Sequence, residues 1–181
     1  MAPILGIYAS QISGHLAAPN SYASIATVTV GSGGASSITF SSIPSTYTHL
    51  QIRGLVRSNR ANTIDVAGVQ IGSTYATQQH ILYGDGSNAI SNATTGLTIV
   101  PAASTTSSVF GNFVIDILDY RNTSKNVVAR ALSGYDANGS GTMALGSALF
   151  LTTGPVTALS VYAANGTGFV QYSSIALYGV K

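Results

Sequence analysis

The segment Ser36–Arg57, SSITFSSIPSTYTHLQIRGLVR, admits few structures. Apolar Leu50, Ile52 and Val56 alternate with His49, Gln51, Arg53 and Arg57. Alternation of period two sets one face of a strand on a core and the other in solvent. Ahead of it, Ile38, Phe40 and Ile43 make a first strand, which Pro44 closes because proline offers no N–H to a ladder. A strand, a tight corner and a second strand belong to a β-sheet protein.

The rest of the chain repeats that theme. Residues 22–30 (YASIATVTV) are rich in β-branched side chains, and the GSGGAS that follows reads as a hairpin loop. Thr63–Ile71, Thr77–Tyr83, Leu97–Val100, Lys125–Ser133, Thr142–Leu151, Val156–Tyr162 and Phe169–Val180 read as further strands. Gly84–Gly86 and Asp136–Gly141 (DANGSG) are turns, and Asn165–Gly168 reads as a hairpin turn. Residues 87–108 are otherwise loop-like. The most hydrophobic run, Val109–Tyr120, predicts a strand buried on both faces. About ten strands, with no amphipathic helix, no long-period repeat and no linker, predict an all-β fold. The expected architecture is a β-sandwich of jelly-roll type over residues 21–181.

Composition narrows what such a fold can do. Charged residues make up 7% of the 181 residues, against about a quarter in an ordinary domain, and no Glu occurs. The chain has no Cys, so disulfides, zinc–thiolate sites and cysteine nucleophiles are excluded. The net charge of +2 comes from seven scattered basic residues and is no footprint for nucleic acid. No run approaches the ~20 apolar residues of a membrane helix. A surface of hydroxyls and small residues is poor in charge-based solubility and is tolerated where neighbours in an assembly cover it.

Residues 1–20 are apolar and small, and no Lys or Arg precedes Arg53, so the basic start of a signal peptide is missing. They read as an extended docking arm that buries Ile4, Leu5, Ile7, Tyr8, Ile12 and Leu16, each worth roughly 1.5–3 kcal/mol when fully buried. A first strand of the sheet is the alternative.

Candidate chemistry reduces to local structure. Asp116 and Asp119 stand three apart and point to opposite faces of a strand, so they form no acid–base pair; Asp119 begins a turn. Asp136, Asn138 and Ser140 faintly resemble the start of a calcium loop but lack its closing Glu, and read as a turn. His15, His49 and His80 offer no third metal ligand, although His49 and His80 could approach each other. No nucleophile elbow or phosphate loop is present. No catalytic, cofactor-binding or metal-binding residue is assigned, and no enzyme is expected. The ten tyrosines suit core corners first, then interfaces or sugar platforms.

MAPILGIYASQISGHL, SSIPSTYTHLQIRG, HILYGDGS, VIDILDY and FVQYSSIALYGVK together resemble a group of small virion structural proteins of tailed bacteriophages, over nearly the whole chain. The resemblance implies a capsid decoration (cement) or head-fibre protein, or else a tail fibre or adhesin. It also implies an anchoring N-terminal phrase at Ile4–Leu16 and location in the virion, assembled in the host cytoplasm. Expected partners are further copies of the chain, as a homotrimer, and a major capsid or tail protein. No nucleic acid, membrane or cofactor is expected. A carbohydrate-binding module for host surface glycans is the alternative.

Overall fold

A computed structural model describes residues 21–181. The docking-arm residues Ile4, Leu5, Ile7, Tyr8, Ile12 and Leu16, and His15, lie outside the described residues. The described chain is all-β, with thirteen strands rather than about ten. In chain order these are β1 (Tyr22–Thr29), β2 (Ser37–Phe40), β3 (His49–Val56), β4 (Ile64–Ile71), β5 (Thr74–Tyr75), β6 (Gln78–Gly84) and β7 (Ala89–Ala93). They continue with β8 (Thr98–Pro101), β9 (Gly111–Leu118), β10 (Val127–Asp136), β11 (Gly141–Phe150), β12 (Leu159–Ala163) and β13 (Ser174–Val180).

Two antiparallel sheets enclose the core in a sandwich. The larger has eight strands in the order β1-β13-β3-β9-β10-β11-β6-β7. The smaller has the order β2-β12-β4, with β5 and β8 sharing the second edge of β4. Ile38, Phe40, Val69 and Val161 of the small sheet meet Leu50, Ile52, Phe113, Ile115, Ile175 and Leu177 of the large one in a single apolar cluster. The inward face of β3 lies as the sequence implied, with Leu50, Ile52 and Val56 fully buried; on the other face Arg53 is exposed, but Gln51, expected in solvent, is buried and donates to Tyr22 Oη and Asp116 Oδ1.

Several expectations are corrected. GSGGAS and Asn165–Gly168 are not hairpin turns. β1 and β2 lie in different sheets, as do β12 and β13, so both segments are crossovers between layers. Residues 87–108 contain β7 as well as β8; the low β-propensity of Ala-Ile-Ser-Asn-Ala is overridden because β6 offers it a ladder edge. Thr74–Tyr75 adds a two-residue strand that the sequence reading did not include. β9 is buried on one face only: Phe113, Ile115 and Ile117 point inward, while Val114, Asp116 and Leu118 lie on the outer face, where no other layer of the described chain covers them. Arg57, expected in solvent, is buried just beyond β3.

The corner between β2 and β3 is held by Tyr120. Its ring is buried, its hydroxyl donates to the Pro44 carbonyl, and burial pushes its phenol pKa up.

Candidate interaction surface

The sequence-level candidates separate in space. His49, at the start of β3, accepts the Asp119 N–H on Nδ1 at 2.9 Å, which puts its own proton on Nε2. His80 lies on β6, four strands away across the sheet, roughly 19 Å at ~4.8 Å per strand, so the two histidines do not meet. Among the described residues, no group of three metal-ligating side chains comes together. Asp119 lies beyond β9 in the left-handed region (φ 52°) and opens the expected turn, its carbonyl accepting Asn122 N–H at 3.0 Å. Lys125, 2.6 Å away, holds its carboxyl below the usual carboxylate range. Asp136 accepts Asn138 N–H at 2.8 Å and closes a turn, as its sequence context predicted.

Two buried polar knots tie the loops at one end of the sandwich, and the sequence reading found neither. Fully buried Asp65 accepts from Ser58 Oγ (2.5 Å), Gly166 N (3.0 Å), Val66 N (2.8 Å), and both Asn165 N (3.2 Å) and Asn165 Nδ2 (3.1 Å). Counting back by twos from Ile71 through Val69 and Ala67 lands on Asp65; an acid in the register of the core face was the available signal. Arg57 donates from Nη1 to the Thr106 and Val109 carbonyls (2.7 and 2.9 Å) and from Nη2 to those of Ala103 and Thr105 (3.2 and 2.8 Å). Both knots are internally satisfied and structural.

The outer face of the large sheet is different. On β10 and β11 the side-chain sizes are inverted relative to an ordinary amphipathic strand. Through the middle of both strands the small residues Ala129, Ala131, Ser133, Ala144, Gly146 and Ala148 point inward and the large Leu132, Met143 and Leu145 point out, while Val127 and Phe150 at the paired ends stay in the core. The inward residues must be small because β8 and its lead-in pack against them. Ile99 N donates to Ser133 Oγ at 3.0 Å, and a methyl at Gly146 would overlap the Leu97 carbonyl.

Cross-strand register then builds an apolar row. Val114, Leu132, Leu145 and Leu82 stand directly opposite one another on β9, β10, β11 and β6. Leu132, Leu145 and Leu82 are 48%, 56% and 50% exposed, and Met143, one row along, is 66% exposed. Covering half of such a side chain is worth on the order of 1 kcal/mol. The Leu132–Leu145 ridge separates two shallow grooves. One, of about 330 Å³, is lined by Leu82, Ala89 and Met143; the other, of about 440 Å³, by Val114, Asp116 and Arg130.

The next row carries charge of both signs: Arg130 Nε donates to Asp116 Oδ2 at 3.2 Å, and Asp116 Oδ1 also accepts from Gln51 Nε2 at 2.8 Å. Beyond Gln51, the Arg53 guanidinium lies 5.4 and 5.1 Å from the ring centres of Tyr22 and Tyr178. Of the tyrosines, Tyr120 fills the core, while Tyr22, Tyr75 and Tyr172 are exposed.

No helix among the described residues is long and apolar enough to cross a membrane. No family model matches the chain, and no curated protein matches it.

Proposed function

We propose that this chain is a structural component of a tailed-phage virion. It is a capsid decoration (cement) or head-fibre protein, exposed on the particle, assembled in the host cytoplasm and anchored by residues 1–20. The body is a jelly roll. The strand order supports this, because β1-β13-β3-β9 faces β2-β12-β4-β8 with successive strands crossing between layers; the β6–β7 and β10–β11 hairpins extend the first sheet. The observation that carries the assembly reading is the outward-facing apolar row on β9, β10, β11 and β6 in a chain with 7% charged residues. Soluble monomers rarely leave such a continuous patch open. The chain works as a closed homotrimer on a major capsid or tail protein, binds neither nucleic acid nor membrane, uses no cofactor and catalyses nothing.

Cryo-EM of the parent particle tests this. Density for the body at three-fold or quasi-three-fold capsid positions is expected, and removal of residues 1–20 abolishes it while the body still folds. Absence from the particle refutes the reading.

A second reading rests on the Tyr22–Arg53–Tyr178 cluster beside Gln51 and Asp116. The exposed Tyr22 ring and the half-buried Tyr178 ring, next to planar polar groups, suit the apolar face and hydroxyls of a host surface glycan, and would make the protein a tail fibre, adhesin or carbohydrate-binding module. Glycan-array binding that Tyr22→Ala abolishes is its test.

A further inference from the structure

We infer that the outer face of the large sheet, centred on Leu132 and Leu145, is the surface on which a second copy of this chain packs. The inference rests on the proposed self-assembly and names the contact: the ridge of one copy enters a groove of the next, a heterologous contact that can close a ring of three. Three properties of the face fit a copy of itself. First, ridge and groove lie on one surface: the Leu132–Leu145 ridge borders two grooves of about 330 and 440 Å³, each with room for a leucine side chain from a neighbour. Second, the rim offers both charges. Among the described residues Arg130 spends only Nε, on Asp116, so its terminal nitrogens can take a carboxylate, and each copy supplies one at Asp116. A partner needs an apolar centre with an acid and a base at its edge, and this face has both.

Third, the size is right. Eight strands at ~4.8 Å span about 34 Å, and seven to eight residues at ~3.3 Å run about 25 Å. The whole face, about 850 Å² as a flat rectangle, is the most that one copy can bury there, and it is of the order of the roughly 800 Å² that each partner gives to a standard stable interface. The face also runs into β7, an edge strand that is exposed throughout and carries no charge, so a neighbour over the extension would shield an edge that otherwise invites uncontrolled pairing.

The test is the mass of the full chain in solution, by sedimentation velocity at tens of micromolar. Wild type is expected as an oligomer. Leu132→Glu with Leu145→Glu should fall to the monomer mass of 18.4 kDa, with β-sheet circular dichroism retained because both positions are already half exposed. Should the double variant fail to fold, Arg130→Asp supplies the readout: it weakens the oligomer at least tenfold, and adding Asp116→Arg restores it. A monomeric wild type overturns the inference, as does a folded double variant that keeps the wild-type mass. So does a chain lacking residues 1–20 that is monomeric while the double variant is not, since the arm would then be the contact. Particle binding reads the virion proposal separately: a monomeric double variant that still binds particles supports both, and an oligomer that never binds particles supports the contact alone.

Discussion

Replacing Asp65 by alanine should be among the most damaging single changes available in this fold. The carboxylate is fully buried and serves donors from three places: Ser58 after β3, Val66 in β4, and Asn165 and Gly166 after β12. Alanine leaves the Val66, Asn165 and Gly166 N–H groups without their acceptor. Each orphaned buried donor costs about 1–3 kcal/mol, while the Ser58 hydroxyl and the Asn165 amide can rotate to other partners. The sum is about 3–9 kcal/mol, or a fall in Tm of at least roughly 6 °C at about 2–4 °C per kcal/mol for a domain of this size. Asparagine keeps the shape and one acceptor oxygen, but its NH₂ meets the Gly166 N–H donor to donor, so Asp65→Asn should lose about 1–3 kcal/mol. Ser58→Ala removes one hydroxyl and should lose about 1 kcal/mol. Urea titration of the three variants, followed by circular dichroism at 218 nm, reads the series. A loss below about 1 kcal/mol for Asp65→Ala, or equal losses for the alanine and asparagine variants, would refute the argument that orphaned backbone donors dominate.

Two more changes probe the loops. Arg57→Lys replaces a five-donor fork by an ammonium that cannot span four carbonyls, and should cost about 2–4 kcal/mol. It should also speed amide exchange across residues 102–110; unchanged exchange there would show that the loop holds itself. Acid should loosen two turns. Asp119 is held low by Lys125, and Asp85 by the Ser87 and Asn88 N–H groups at 2.9 and 2.8 Å. A carboxylate whose folded pKa lies below its unfolded value near 4 stabilises the fold above that value, and the contribution is lost as pH falls through the folded pKa. Melting curves from pH 7 to 2.5 should therefore drop less steeply below pH 4 for a doubly substituted Asp85→Asn, Asp119→Asn chain than for wild type. Superimposable acid limbs would contradict the assignment.

How much was legible depends on the range of the forces involved. Strand identity is local, because period-two alternation and β-branched side chains act on their own residues, and β3, β4, β6, β9, β10 and β11 were placed to within a few residues. Turn chemistry is local too: Asp119 and Asp136 bond backbone two or three residues away, as their context implied. The absence of Cys and the scarcity of charge bounded the chemistry before any fold was known.

Tertiary structure decided what alternation alone cannot: which of two alternating faces is the inside. Val109–Tyr120 looked doubly buried because Val114 and Leu118 are apolar, yet they line an outer face that the single chain leaves open. In the middle of β10 and β11 the close approach of β8 favours Ala, Ser and Gly inward, while Leu132, Met143 and Leu145 point out. Whether GSGGAS turns a hairpin or crosses between layers depended on β13 and β12 being the better partners for β1 and β2. Arg57 was an ordinary polar residue in the sequence, and Asp65 was marked only by its register with the core face of β4. They became anchors because chain segments 100 and about 50 residues away bring the groups that satisfy them. Backbone pairing and burial join residues far apart in sequence, so the apolar surface and the buried knots exist only once the sheets have formed.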